Sequence, residues 1–94
     1  MSRTKAEQRY LDRVAELGCI VCHLIGYGKT EPQIHHLRDS AGGGRKNPDW
    51  LAMPLCEPHH TGPKGIHGDR TCLRQAGVVD EVDLLAATIE RLNR

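Results

Sequence analysis

The stretch Pro54-Leu55-Cys56-Glu57-Pro58-His59-His60-Thr61-Gly62 decides which fold this sequence predicts. Cys56 and His59 are separated by two residues, a spacing at which a turn brings two side chains onto one metal ion. His60 follows directly and is expected to point to the other side of that turn. The stretch therefore predicts two sites, one completed by Cys56 and His59 and one that His60 joins.

An earlier pair, Cys19 and Cys22, has the same spacing as Cys56 and His59. Together the two pairs supply the four sulfur and nitrogen ligands that a tetrahedral structural zinc ion (Zn2+) prefers. Cys72 is an alternative fourth ligand that would leave His59 free. The spacing from Cys56 favours His59, and we expect Cys72 to be a small buried residue.

The composition explains why such a zinc site would be needed. The chain has 94 residues, enough for a single domain, with no phenylalanine, two tyrosines and one tryptophan among ten glycines and five prolines. A core this small usually needs a metal, disulfides or a partner to fold. We find no secretory signal and no apolar run of the roughly 20 residues that span a bilayer. We therefore expect a cytoplasmic protein without a membrane partner, in which metal binding is favoured over disulfides.

Charge and two further motifs exclude other classes of protein. The net charge of +1 excludes a strongly basic DNA-coating protein, although basic residues gather near the histidines. Cys19-Ile20-Val21-Cys22-His23 has the letters of a c-type haem attachment site, but that chemistry accompanies export and leaves the other histidines unused. The glycines at 42–44 lack the Lys-Ser/Thr ending of a phosphate-binding P-loop.

The pattern of elements predicts an α+β domain over residues 1–94. The capping-box sequence that starts at Thr4 and apolar residues at helical spacing predict an N-terminal helix over 5–17. The core over 19–68 contains two short strands, at 33–37 and 50–55, the second ending at Pro54, and a helical turn from His59 onward. The C-terminal helices over 69–94 begin at Asp69 and Asp80 and end with an apolar helix that we expect to pack on the core.

The remaining histidines form a second constellation of His35, His36, His60 and His67. Neighbours on a strand point to opposite faces, so one of the first two can bind a metal while the other faces a different part of a cleft. Hydrolysis of a phosphodiester needs a base for the water, a cation for the developing charge and positioned donors. A neutral histidine, with an ordinary pKa near ~6.5, can be that base.

These motifs, in this order, resemble an HNH (ββα-metal) endonuclease with a zinc-stapled, treble-clef-like core. More narrowly, they are similar to the phage-borne Ref-type, RecA-dependent recombination nucleases. The resemblance is carried by Ile34-His35-His36-Leu37, the glycine-rich loop, Asp49-Trp50, Pro54 to His60, and Gly65-Ile66-His67-Gly68. It implies a strand hairpin and a helix around a catalytic ion (Mg2+, Mn2+ or Zn2+).

The resemblance also implies individual roles. His36 becomes the general base, and His35, His60 and His67 become ligands of the catalytic ion. Asn47 and Asp49 are both candidates for the loop-stabilising middle residue of the motif, which has no clean match. The expected products are 3′-hydroxyl and 5′-phosphate ends.

The implied partner is DNA, in a bacterial host cell or encoded by a phage. The basic residues expected to contact its backbone are Arg38, Arg45, Lys46, Lys64 and Arg70. The sequence leaves three points open: whether a RecA-type recombinase filament is required, whether the substrate is single-stranded, duplex or branched, and which oligomeric state the chain adopts. An alternative interpretation is a zinc-stabilised nucleic-acid or protein adaptor without chemistry, and a third is a nuclease-like subunit active only within a complex.

Overall fold

The computed structural model describes residues 3–38 and 47–94, and within them the predicted α+β class is confirmed. Two antiparallel strands are surrounded by helices, of which none in these two ranges is long and apolar enough to cross a membrane. The elements in chain order are α1 (Lys5–Glu16), α2 (Ile20–Leu24), β1 (Gln33–His36), a 3₁₀ turn (Asp49–Leu51), β2 (Ala52–Leu55), α3 (Glu57–His60), α4 (Thr71–Ala76) and α5 (Glu81–Leu92).

Helix α1 begins at the predicted capping box. The Thr4 hydroxyl accepts a hydrogen bond from the Glu7 amide at 3.1 Å, and the Glu7 carboxylate accepts one from the Thr4 amide at 2.8 Å. Leu11 and Val14 are its buried residues. The helix ends one residue before the predicted boundary, and Gly18 follows with a φ of 76°.

Strands β1 and β2 form a hairpin that carries the histidine pair. His35 lies opposite Met53, and His36 lies opposite Ala52. The predicted second strand began too early, because Asp49–Leu51 is a 3₁₀ turn. The strand ends at Leu55 as predicted, and Pro54, expected to mark that end, lies one residue inside β2, opposite Ile34. A proline is tolerated there because each strand of a two-stranded sheet has one edge without a strand partner.

The first cysteine pair lies at the beginning of a short helix rather than in a simple turn. Cys19 is the N-cap of α2, and its Sγ accepts a hydrogen bond from the Cys22 amide at 3.4 Å. The thiols therefore lie within the apolar core, whose buried members are Cys19, Ile20, Val21, Cys22, Leu37, Met53, Leu55, Cys56, Ile66, Cys72, Leu73, Leu84 and Leu85.

The glycine-rich segment after α3 brings His67 back to His60. The His67 amide donates to the His60 carbonyl at 2.9 Å, and the Ile66 amide donates to the His59 carbonyl at 3.0 Å. A Cβ on Gly65 would lie only 2.8 Å from both of those carbonyl oxygens, so this approach requires glycine. The helical turn was predicted to begin at His59, but it begins at Glu57 and forms α3.

Helix α4 begins at Thr71, and its predicted stop is present, since Gly77 has a φ of 77°. The Asp69 carboxylate accepts from the Thr71 amide at 2.9 Å, although the N-cap position itself is Arg70, in the left-handed region with a φ of 65°. Asp69 thus satisfies a helix amide from one position farther out than predicted.

Helix α5 starts at Asp80 as predicted, with a capping box that pairs Asp80 and Asp83. The helix packs on the core as expected. Its buried face contains Glu81 and Thr88 beside Leu84 and Leu85, while Val82 and Ile89 are exposed. The helix therefore places a carboxylate, not only apolar side chains, inside the domain.

Candidate metal centres

Four predicted ligands, the thiols of Cys19, Cys22 and Cys56 and an imidazole nitrogen of His59, lie within 4.8 Å of one another. Cys22 Sγ is 3.7 Å from Cys56 Sγ, and His59 Nδ1 is 3.2 to 3.5 Å from all three sulfurs. Sulfurs at about 2.3 Å from a tetrahedral zinc are about 3.8 Å apart, so these separations suit one ion. We call this group the cysteine tetrad, and it could hold a metal ion.

The surroundings of the cysteine tetrad disfavour free charge. Burial raises the pKa of the Cys19 thiol to about 12, and burial also lowers the pKa of His59. A thiolate here needs a cation nearby, which a metal ion supplies. Cys72 is fully buried but lies outside the tetrad, where its thiol contacts the His59 carbonyl oxygen at 3.8 Å.

The second group consists of His35, His60 and His67, which also offer one nitrogen each within 4.8 Å of the others. We call it the histidine triad. His60 Nε2 lies 3.1 Å from His67 Nε2, and their rings are 4.7 Å apart. Nitrogens at about 2.1 Å from one ion lie about 3.0 to 3.4 Å apart, so the triad could hold a metal ion as well.

His35 is oriented by a residue that we did not single out from the sequence. Its Nε2 lies 2.6 Å from Oε1 of Glu81, at the start of α5, and both side chains are buried. A carboxylate only accepts, so Nε2 carries the hydrogen and the lone pair of neutral His35 is on Nδ1. Burial lowers the pKa of His35, although the hydrogen bond and charge of Glu81 act in the opposite direction. The lowered pKa favours this neutral form.

Glu81 is a buried carboxylate with three partners. Besides His35, Arg70 donates to its Oε2 at 3.3 Å, and the Arg38 guanidinium lies 3.7 Å from the same oxygen. Burial alone would raise the pKa of Glu81, but these three partners together hold it below its usual value. Glu81 is therefore ionised, and its charge is balanced inside the domain.

The other two histidines of the triad differ from each other. His60 Nδ1 donates to Gln33 Oε1 at 2.8 Å, which leaves the lone pair on Nε2. Arg38, which can only donate, lies 3.2 Å from His67 Nδ1, so that nitrogen accepts and His67 Nε2 carries the hydrogen. The lone pair of His60 Nε2 then accepts from His67 Nε2 at 3.1 Å. To offer Nε2 to an ion, His67 must give up both this hydrogen bond and its contact with Arg38.

Electrostatics favour the uncharged form at His60 too. Burial, together with repulsion from His35, His67 and Arg38, lowers the pKa of His60 to about 4. A neutral imidazole is the form that binds metal, so the centre of the triad is preset for it at neutral pH.

His36 is separate from the triad. Its Nε2 donates to Asp49 Oδ1 at 2.7 Å, and Arg3 donates to Asp49 Oδ2 at 2.6 Å. The bonds from Arg3 and His36 hold the pKa of Asp49 below its usual value, so it stays a carboxylate. Neutral His36 therefore carries its free lone pair on Nδ1.

A family model described as recombination enhancement, RecA-dependent nuclease, matches residues 3–92. The chain belongs to this family. The resemblance to RecA-dependent recombination nucleases is thereby confirmed, and the family ties the chain to nuclease activity in recombination. Neither the curated proteins nor the solved structures contain a significant match.

In this member of the family, the two candidates for the middle position of the motif have different contacts. Asn47 donates to the Leu37 carbonyl and so joins the residue after the glycine-rich loop to the end of β1. Asp49 instead contacts the side chain of His36. Asn47 thus contacts the backbone just after β1, whereas Asp49 contacts an imidazole.

The predicted DNA contacts are dispersed. Lys64 is exposed, Arg38 is partly exposed beside His67, and Arg70 turns its guanidinium inward to Glu81. Arg45 and Lys46 lie outside the described residues.

Glu81 and Gln33 contact the histidine triad, and neither was predicted from the sequence. Glu81 is 46 residues from His35, in a helix whose apolar neighbours suggested core packing. A carboxylate directly after the Asp80 N-cap is typical of any helix start, so nothing local marked it. Gln33 is two residues before His35 on the same strand, and period-two alternation was the available signal.

Proposed function

We propose that this chain is a metal-dependent DNA endonuclease of the HNH (ββα-metal) type, acting in recombination. The observation that carries the proposal is the histidine triad, in which Glu81 and Gln33 each accept from one ring nitrogen and so place the lone pairs of His35 and His60 on Nδ1 and Nε2. Partners of this kind orient metal-binding histidines in proteins. The order of β1, β2 and α3 also suits a ββα arrangement.

The cysteine tetrad is proposed to hold structural Zn2+. Three thiols and one imidazole match the preference of zinc, and separations of 3.2 to 3.7 Å match its tetrahedral geometry. Since the core is small, zinc would supply much of the folding free energy.

In the proposed reaction, Nδ1 of His36 removes a proton from the attacking water while Asp49 holds Nε2–H. The water oxygen forms a bond to phosphorus as the bond from phosphorus to the 3′ oxygen breaks. That oxygen leaves with a proton from solvent, which gives 3′-hydroxyl and 5′-phosphate ends. A divalent ion (Mg2+, Mn2+ or Zn2+) bound by His35, His60 and His67 would supply positive charge to the phosphate oxygens.

Arg38 is proposed to contribute a second positive charge. Its guanidinium lies between His67 and Glu81 and is partly exposed, so it can turn to a phosphate oxygen when His67 binds the ion. The DNA backbone is proposed to contact four further basic residues, Arg45, Lys46, Lys64 and Arg70. We further propose that the substrate is DNA engaged by a RecA filament, from the description of the family. The adaptor interpretation leaves the buried Glu81–His35 pair without a role.

His36→Ala tests the proposal. Removing the base should reduce cleavage by about 100-fold or more while zinc content and the thermal midpoint stay near those of the parent. The assay uses labelled single-stranded, duplex and displacement-loop DNA, with Mg2+ or Mn2+, and with and without a RecA filament.

His23→Ala is the matched control, because His23 is an exposed histidine outside both groups. It should cleave like the parent. Undiminished cleavage by pure His36→Ala protein would overturn the role of His36, and absence of cleavage by the parent on every substrate would overturn the nuclease assignment.

A further inference from the structure

Trp50 of the 3₁₀ turn and Tyr10 of α1 form an aromatic pair next to Asp49, the partner of His36. Trp50, the single tryptophan of the chain, is 46% exposed. Its ring makes an edge-to-face contact with Tyr10 of α1, with centroids 5.0 Å apart and planes at 67°. The Tyr10 hydroxyl also lies 3.4 Å from the Trp50 carbonyl oxygen and can donate to it. The indole is thus supported from within while much of its surface is open to solvent.

The neighbours of this pair belong to the proposed reaction centre. Trp50 directly follows Asp49, which accepts the hydrogen bond from His36. Arg3, whose side chain is 43% exposed, binds the other oxygen of Asp49 at 2.6 Å. An open indole and a partly exposed guanidinium therefore flank the residue that orients the general base.

This combination suits an unpaired nucleotide. Aromatic side chains bind single-stranded nucleic acids by stacking on the face of a base, while nearby cations contact the phosphates. In a duplex the faces of the bases are covered by their neighbours, so such a surface distinguishes unpaired from paired DNA. A protein partner fits less well, since a specific protein interface takes about 20 to 30 residues a side.

We propose that Trp50, supported by Tyr10, is a stacking subsite for an unpaired DNA base next to the cleaved phosphate, with Arg3 contacting the adjoining backbone. The identity of the ligand as DNA rests on the proposed function. The subsite would direct the nuclease to single-stranded segments, including those of displacement loops.

The test begins with the fluorescence of Trp50 in the zinc-loaded full chain, without added Mg2+ or Mn2+. Saturable quenching is expected on titration with a thymidine oligonucleotide of about 12 nucleotides, because a stacked base quenches the indole. A blunt duplex of two self-complementary strands, with the same total number of phosphates, should quench far less. Equal quenching by both ligands, or by neither, would overturn the subsite.

Anisotropy of labelled oligonucleotides then compares variants of equal thermal stability. Trp50→Leu should weaken binding of the single strand by about fivefold or more, Trp50→Phe by less, and neither should change binding of the blunt duplex. Tyr27→Leu is the matched control, because Tyr27 is a 75% exposed aromatic beside the cysteine tetrad. Single-strand binding by Trp50→Leu equal to that of Tyr27→Leu would contradict the proposal.

Cleavage by the same variants separates the two hypotheses. Parent protein that cleaves single-stranded and duplex DNA equally, with Trp50→Leu unaffected, would overturn the subsite and leave the nuclease function standing. Selective quenching without cleavage of any DNA would support the subsite and overturn the nuclease function.

Discussion

The cysteine tetrad and the histidine triad share the turn of α3 but differ in depth and chemistry. The three thiols of the tetrad are buried, and its donors are mostly sulfur. The triad contains only nitrogen donors, and its three members range from buried His35 through half-buried His60 to exposed His67. A buried, sulfur-rich group suits a permanent structural ion, whereas an open group with oriented imidazoles suits an ion that meets substrate.

Adjacent residues separate the two groups. His59 Nδ1 faces the sulfurs, while His60 Nδ1 donates to Gln33 on the strand hairpin. The Gly65 turn then returns the chain so that His67 lies beside His60. One helical turn therefore supplies a ligand to each group, and changes at these two positions should have different consequences.

The largest expected difference is between His59→Ala and His60→Ala. His59→Ala should lose tightly held zinc and cooperative thermal unfolding, because zinc supplies much of the folding free energy of small domains. His60→Ala should keep its zinc, change the free energy of unfolding by less than about 1 kcal/mol, and lose cleavage. Circular dichroism melting and zinc content measure both results.

The Cys72→Ala variant is the control, because it removes a buried thiol that lies outside the cysteine tetrad. It should unfold cooperatively at a lower temperature and retain zinc. If His59→Ala keeps its zinc while His60→Ala or Cys72→Ala loses it, the division of the two groups is wrong.

A smaller effect is expected from Glu81→Gln. Glutamine can still accept the hydrogen bond from His35 Nε2, but it removes the negative charge that supports the ligand and neutralises Arg38 and Arg70. Binding of Mn2+ at the triad should weaken by about 10- to 100-fold, with zinc content unchanged. Titration calorimetry of the zinc-loaded chain with Mn2+ measures this.

Glu90→Gln makes the same chemical change on the exposed face of α5, where Glu90 pairs with Arg94. Its Mn2+ affinity should equal that of the parent. If the two variants bind Mn2+ equally well, Glu81 has only a structural role.

Local sequence was enough to predict α1, the two strands and the members of the cysteine tetrad, whereas the choice of His35 over His36 for the histidine triad came from the resemblance to the family. The two-residue spacings of Cys19 with Cys22 and of Cys56 with His59 reflect turn geometry within a few residues. The caps at Thr4 and Asp80 are equally local, and both are present. The assignments of zinc, of the catalytic ion and of His36 as base stay predictions.

Features that depend on distant contacts could not be predicted. Glu81 reaches His35 across 46 residues, and an apolar helix pattern hides a buried carboxylate. Arg70 resembled a surface cation, but the same carboxylate draws it inward. Pro54 signalled the end of a strand, yet it is accommodated within a sheet of only two strands.

The central claim is that one chain holds two metal ions with different functions. Native mass spectrometry of the parent protein, before and after brief treatment with a chelator, tests it most directly. We expect one zinc ion that survives the treatment and a second ion that is lost and returns with Mn2+. A single ion per chain at every Mn2+ concentration, or loss of both ions together, would contradict the claim.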